Sequence, residues 1–358
     1  MFVFAHCKAI PPTTNFELRT FMPTITLIPG DGIGPEITDA VVEILDAADA
    51  GLTYDEQQAG LTAFREVGDL IPQELVESIQ AHKIALKGPL TTPVGEGFKS
   101  INVTLRQKFD LYQNVRPAKS IPGLENRFEN VDLVLFRENT EGLYSGFEIF
   151  DERNQIADAI ARVTRKGAER IIRAAFEYAR QQGRKRVTSV HKANIIKQAG
   201  ALFLRVGKEI AAEYPEIEYE DRIIDNMAMQ MVIYPDRYDV IVTTNLFGDI
   251  LSDLAAGLIG GLGLVPGANM GDGYAIFEAV HGSAPDIAGK NLANPSAMLQ
   301  SAIMMLHYLD LREAADRIEQ ALFLTLADPA QRTKDLKGQA TTSQFAENVI
   351  ANLAKVGA

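Results

Sequence analysis

The chain has 358 residues, of which 46% are apolar and 23% charged. That is the make-up of a folded globular protein of roughly two domains, and it excludes a disordered chain, a collagen-like repeat and a disulfide scaffold. With 35 basic against 47 acidic residues the formal net charge is −12, which argues against a broad nucleic-acid surface, and the single cysteine, Cys7, permits no intrachain disulfide and points to a reducing, cytoplasmic setting.

Residues Met1 to Phe21 show neither helical nor strand periodicity. They lack the basic start and long apolar run of a secretory signal. Glu17, with only Lys8 and Arg19 basic, makes a poor organelle presequence. The expectation is an N-terminal extension over 1–21, either an upstream start or a disordered tail.

From Thr24 the pattern settles. Thr24–Pro29 reads as a short buried strand. The turn Gly30-Asp31-Gly32-Ile33-Gly34-Pro35-Glu36 leads into a helix over Ile37 to Asp49, its first turn suited to Pro35 and Glu36. A helix over Pro72 to Gln80 precedes a strand, Lys83–Lys87. Val131–Phe136 is a strand, and an amphipathic helix follows from Ala159 to Gln182. Arg186–Val190 is a strand, with a helix from Ala193. Val240–Thr243 is a strand and Asp249–Leu258 a helix. No stretch reaches the ~20 apolar residues of a membrane span. The nearest, Leu254 to Val265, is broken by four glycines and reads as a helix end and a turn. The last third is helical, as over Pro295–Leu309 and Leu311–Ala327. Strands alternating with helices predict an α/β fold with open, largely parallel sheets.

The glycine turn invites a dinucleotide reading, but its spacing is G-x-G-x-G, and no acid ends a clear second strand about 20 residues on. A strand–helix turn that needs glycine backbone angles accounts for it.

Four segments carry chemistry. Ser100, Asn102 and Arg106 stand close together in one run, and Arg116 and Arg137 follow. Arg137 ends an apolar strand, where a guanidinium is costly unless paired. Guanidinium groups hold carboxylates through two parallel hydrogen bonds, so three of them could neutralise a di- or tricarboxylate. The alternative is that each makes a structural ion pair. Lys192 follows a strand end, where α/β sheets carry ligands, or is simply solvated. Asp249 and Asp253 are four apart on a predicted helix and project from one face. A divalent cation would relieve their repulsion; a solvated helix face is the alternative. Asp225 follows another apolar run. The loop from Glu278 to Lys290, with His281, is rich in small residues that allow close backbone approach to a ligand; the alternative is a surface loop with an exposed His281.

Together these segments resemble the decarboxylating β-hydroxyacid dehydrogenases, the isocitrate, homoisocitrate and 3-isopropylmalate enzymes, over essentially everything from Met22 onward. The resemblance implies the isocitrate/isopropylmalate dehydrogenase-like fold, an α/β fold that is not a Rossmann fold. A large domain would comprise 22–111 and 260–358. A small domain with dimer-interface elements would comprise 112–259, and an active-site cleft would lie between the two.

The resemblance also assigns roles. Arg106, Arg116 and Arg137 would hold the substrate's carboxylates, with Ser100 and Asn102 on its variable arm. The Ser-x-Asn-x-x-x-Arg pattern looks like the isocitrate enzymes. Asp249 and Asp253, with Asp225 from a second subunit, would bind Mg2+ or Mn2+. Lys192, also from the second subunit, would assist removal of the hydroxyl proton, and Tyr144 would deliver the final proton. Thr92, His281, Gly282, Asp286, Ile287 and Asn294 are carried over as cofactor contacts. NADP-using relatives carry a Lys-Tyr pair where this chain has Asp286-Ile287, and a carboxylate there would accept ribose hydroxyls and repel a 2′-phosphate. Arg332 and Lys334 are the nearby cations that run against this. The expectation is an NAD-dependent oxidative decarboxylation of a small tricarboxylate, isocitrate, by a homodimer with shared active sites, with no nucleic-acid or membrane partner. The rivals are homoisocitrate dehydrogenase activity and a non-catalytic regulatory subunit of a heteromeric enzyme.

Overall fold

A computed structural model of the chain describes residues 22–92 and 99–356. The expected extension over 1–21 lies outside the described residues. The described residues form two compact units, one of 22–92 and 99–101 with 272–356, and one of 102–271. The sequence expectation placed these boundaries at 111/112 and 259/260.

The first unit opens with β1 (Thr24–Ile28), α1 (Gly34–Ala47), β2 (Thr53–Glu56), α2 (Gly60–Val67), α3 (Gln73–His82) and β3 (Ile84–Lys87). The second unit contains α4 (Ile101–Lys108, from its second residue), β4 (Gln113–Lys119), β5 (Asp132–Glu138), β6 (Glu148–Asp151), β7 (Ile156–Ala159) and α5 (Arg165–Gln181). It continues through β8 (Arg186–His191), α6 (Lys197–Ala211), β9 (Glu218–Ile223), α7 (Ile224–Ile233), β10 (Val240–Thr243), α8 (Asn245–Leu258) and β11 (Pro266–Met270). The chain then returns to the first unit with β12 (Ala275–Ala279), α9 (Ser296–Tyr308), α10 (Arg312–Ala327) and α11 (Thr342–Val356).

In the first unit the strands run β2-β1-β3-β12, all parallel. In the second they run β11-β4-β5-β10-β8-β9. There β5, β10, β8 and β9 are parallel, whereas β4 runs antiparallel to both β5 and β11. The parallel strands read as apolar runs because both faces are covered: all four residues of β10 are buried. The hairpin of β6 and β7 is a separate two-stranded ribbon, and Ile149, Phe150 and Ile156 on it are exposed.

Three helix starts differ from the sequence expectation by four residues or more. The helix expected from Ala159 begins at Arg165, because Ala159 closes the hairpin and Thr164 caps the helix by accepting from Gly167 N. The helix expected from Ala193 begins at Lys197, after a turn in which Ile195 and Ile196 both donate to Lys192 O. Helix α8 begins at Asn245, four residues before Asp249.

The glycine turn after β1 is structural. A Cβ on Gly32, at φ 62°, would stand 2.0 Å from the Ser283 carbonyl oxygen, and Ile33 N donates to that same oxygen across 2.9 Å. Buried Asp31 accepts from Leu61 N, Thr62 N and Thr91 N, tying the turn after β1 to the first turn of α2 and to the loop after β3. The turn is therefore filled by the protein's own groups, in line with its departure from the dinucleotide spacing.

Candidate active site

The second unit brings most of the expected substrate and metal residues together. Arg137 ends β5 with only 1% exposure. Gly248 on α8 makes room for it, since a Cβ there would meet the Arg137 side chain at 2.5 Å. The guanidinium donates through Nε to Asn245 Oδ1 at 2.9 Å and through NH1 to Asp249, and it lies 5.1 Å from the ring centre of Tyr144. The Tyr144 hydroxyl donates to the other oxygen of Asp249 at 2.5 Å. Arg116, on β4, donates through Nε to Asn114 Oδ1 and through NH1 to Ser252 Oγ, each at 2.7 Å. Its NH1 also stands 3.5 Å from Asp253. Arg106, buried on α4, acts on both Arg137 and Asp249 through its charge.

The electrostatics follow from this packing. Burial works to raise the Asp249 carboxyl, but Arg137, the Tyr144 hydroxyl, Arg116 and Arg106 outweigh it and hold the group below its usual range. Burial and the hydrogen bond to Asp249 push the Tyr144 phenol up. Tyr144 is therefore a protonated phenol beside a carboxylate that stays ionised at neutral pH.

Asp249 and Asp253 are one helical turn apart on α8, with side chains 38% and 58% exposed. An all-oxygen pair of this kind fits a hard divalent cation. Among the described residues no group of three His, Cys, Asp or Glu could hold a metal ion, so Asp225 of the same chain does not complete a triad with them. Asp225 lies in the first turn of α7 and pairs with Lys192, which follows β8. That hydrogen bond lowers the Asp225 carboxyl. The turn carrying Lys192 is fixed by His191. Its Nδ1 accepts from Ala193 N and its Nε2 faces Asp221, each at 3.1 Å. Ser100 is exposed, and Asn102 Oδ1 is buried with no hydrogen-bond partner among the described residues.

The first unit gathers the expected cofactor residues. Thr91 Oγ1 and Ser283 Oγ lie 2.6 Å apart and join the loop after β3 to the loop after β12. Thr92 Oγ1 accepts from Ile101 N at 3.2 Å. Burial lowers the His281 pKa and favours the neutral ring, with Nδ1 turned to Gly282 O and Nε2 buried without a partner among the described residues. Asn294 Nδ2 donates to Asp335 at 2.9 Å. Asp286 is exposed and Ile287 half-buried. Arg332 is buried and spent on the C-terminal carbonyls of α10, with Nε to Leu326 O at 2.6 Å and NH2 to Ala327 O at 3.1 Å. Lys334 is exposed.

Sequence reasoning missed the residues that hold these groups. Asn114, Ser252, Asn245 and Asp335 carry no spacing signal and become visible only once register is known. The buried Lys87–Glu278 pair, 2.7 Å apart on neighbouring strands β3 and β12, was missed for the same reason.

Comparison with known proteins bears on this arrangement. The family model described as isocitrate/isopropylmalate dehydrogenase matches residues 24–349. The chain is 48% identical over 329 residues to the probable alpha subunit of mitochondrial NAD isocitrate dehydrogenase from Caenorhabditis elegans, covering 92% of each. It is 49% identical to the NADP isocitrate dehydrogenase of Thermus thermophilus, covering 92% of this chain and 68% of that one. The crystal structure of isocitrate dehydrogenase from Methylococcus capsulatus superposes with a TM-score of 0.90 at 55% identity, covering 93% of this chain and 99% of that one. The chain belongs to the isocitrate/isopropylmalate dehydrogenase family.

Proposed function

We propose that the protein catalyses the oxidative decarboxylation of isocitrate to 2-oxoglutarate and CO2, with NAD as hydride acceptor and Mg2+ or Mn2+ as the metal. The observation that carries this reading is the convergence of Arg116, Arg137, Tyr144, Asp249 and Asp253 within one unit. Arg106, Arg116 and Arg137 hold the substrate's carboxylates, and Ser100 and Asn102 meet its third carboxylate. Asp249 and Asp253 hold the metal, which when bound supplies Lewis acidity at the substrate's hydroxyl oxygen. Tyr144, kept protonated by its surroundings, donates the proton that completes the product.

NAD preference draws support from two features of the first unit. Asp286 sets a carboxylate where the family resemblance implies a lysine in NADP-using members, and it would repel a 2′-phosphate. Arg332, one of two nearby cations, is spent on helix α10.

The assembly belonging to this reading is a homodimer in which Lys192 and Asp225 serve the partner's site. Two features favour it. Asp225 does not join Asp249 and Asp253 within one chain. The second unit also exposes apolar side chains on the hairpin and on α7, including Phe150, Ile149, Ile233 and Met229, the kind of surface that marks a protein interface.

The test is a rate measurement at 340 nm with Mg2+, offering isocitrate, homoisocitrate and 3-isopropylmalate, each with NAD and NADP. Highest kcat/KM for isocitrate with NAD is expected. A preference for homoisocitrate would mean the arm pocket is misread, and no activity with any pair would overturn the catalytic reading.

A further inference from the structure

Three strands of the second unit set a row of polar side chains on one buried face. Asn269 on β11 lies directly opposite Asn114 on β4, and Asn114 lies directly opposite Arg137 on β5. Arg116 and Asn139 are each two residues further along, so they share that face. Asn114, Asn139 and Asn269 are 1%, 2% and 2% exposed.

The polarity of this row is dictated by arginine, which has donors and no acceptor. The Arg116 Nε–H must meet an oxygen, so Asn114 turns Oδ1 towards it, at 2.7 Å. That leaves Asn114 Nδ2 to donate elsewhere, and it donates to Asn269 Oδ1 at 2.7 Å. The same oxygen accepts from Asn139 Nδ2 at 2.9 Å, and Asn139 Nδ2 also reaches Leu111 O at 3.1 Å. Arg137 repeats the device. Its Nε donates to Asn245 Oδ1, and Asn245 Nδ2 donates to Glu141 O at 3.0 Å.

We propose that Asn114, itself oriented by Asn269, is a positioning residue that aims the Arg116 guanidinium at a substrate carboxylate without cancelling its charge. This rests on the reading of Arg116 as a carboxylate-binding residue. A carboxylate in place of Asn114 would hold Nε equally well, but it would neutralise the cation that the substrate needs. A neutral amide fixes direction and leaves the charge. It can do so only while its NH2 group has an acceptor, because a buried amide that loses its partner is costly and turns. Asn269 supplies that acceptor.

The experiment measures KM for isocitrate, KM for NAD and kcat on the full-length protein with Mn2+. Asn114→Leu and Asn114→Asp should each raise KM for isocitrate by about tenfold or more, the scale of a lost hydrogen bond to a charged group, while KM for NAD stays put. Asn269→Asp keeps an acceptor for both neighbouring amides and should raise KM for isocitrate less than Asn269→Leu does. Arg116→Ala separates the two layers of the argument. If it leaves KM for isocitrate unchanged, the assignment of Arg116 itself fails. If it raises KM while the Asn114 variants do not, the positioning role fails and the assignment stands. Should the asparagine variants not fold, the wild-type protein still decides. The Arg116 Nε–H resonance, identified by its loss in Arg116→Ala, should exchange slowly with solvent, and fast exchange would overturn the proposal.

Discussion

Tyr144 donates its hydroxyl hydrogen to Asp249 across 2.5 Å, and Asp249 in turn pairs with the buried guanidinium of Arg137. One carboxylate thus sets the state of both neighbours. It adds to burial in keeping the phenol protonated and offsets the cost of burying the cation. The three side chains come from β5, α8 and the short 3₁₀ turn at Leu143–Ser145.

Removing the phenolic oxygen tests the proton-donor role. Tyr144→Phe keeps the ring over Arg137 and should lower kcat by about 10²-fold or more, the scale of a lost general acid. KM for isocitrate should change little. Because the phenol is pushed above its ordinary value of about 10, the donor form persists through neutral and mildly alkaline pH. No activity limb from Tyr144 should therefore appear below about pH 10. A near-wild-type kcat would remove Tyr144 from the chemistry.

The proposed homodimer, with Lys192 serving the partner's site, predicts complementation. Tyr144→Phe and Lys192→Met should each be nearly inactive alone. In a mixed dimer one site would carry both lesions and the other neither. Co-refolded mixtures should therefore regain a substantial fraction of wild-type activity. If mixing adds nothing, Lys192 acts within its own chain or not at all.

Cofactor choice should follow the charge at the loop after β12. Asp286→Lys combined with Ile287→Tyr removes the repulsion of a 2′-phosphate and adds a cation. The ratio of kcat/KM for NAD over NADP should fall by at least about tenfold, as expected for one charge reversal near a phosphate. Arg332→Ala should act otherwise. Its guanidinium caps α10, so the expected effect is a lower Tm with an unchanged cofactor ratio. A shift in the ratio would mean that Arg332 reaches the cofactor.

Much of this architecture was legible in the sequence. Strands β1, β3, β5, β8 and β10 are short apolar runs, β1, β8 and β10 leading directly into helices, and the i,i+4 pair Asp249/Asp253 announced its own helix face. Strands β4 and β11 were not legible. Their interior positions are filled by Asn114, Arg116 and Asn269, which breaks the apolar pattern that marks a buried strand. The hairpin of β6 and β7 was not legible either: only its last residue, Ala159, falls in an expected element, the helix that follows, and its apolar side chains face outward, so no alternation against a core is present. The arginines could be picked out as chemistry. The asparagines that aim them could not, because an amide's partners depend on strand register. Arg332 shows the converse: a cation that suggested phosphate binding is a helix cap.

Acid stability should depend on His307. It is 4% exposed on α9 and faces Asp316 at 3.7 Å. Burial lowers its pKa, Arg312 adds to this, and Asp316 only partly opposes it. The unfolded chain therefore takes up this proton near the ordinary value of about 6.5, while the native state resists it. Stability from this group is complete above about pH 6.5 and is lost as pH falls through the folded-state value. His281 shifts in the same direction. Tm measured at pH 7.5 and pH 5.5 should drop less for His307→Gln than for the wild type. Parallel drops would show that His307 does not contribute.

The Lys87–Glu278 pair should behave as a buried unit. The two groups meet at 2.7 Å with side chains 3% and 7% exposed, and Lys87 Nζ also donates to Gly88 O. Removing one partner leaves the other charge buried and uncompensated, which costs about 3–5 kcal/mol. Replacing both with apolar side chains of similar volume removes the desolvation penalty along with the attraction. Glu278→Leu alone should therefore lower Tm more than the double variant Lys87→Met with Glu278→Leu. The pair joins the C-terminal ends of β3 and β12, from which the loops bearing Thr92 and His281 depart. Glu278→Leu should also raise KM for NAD, and the double variant should recover most of that loss. If the double variant is the less stable of the two, the pair contributes net attraction beyond its desolvation cost, and the ordering argued here is wrong.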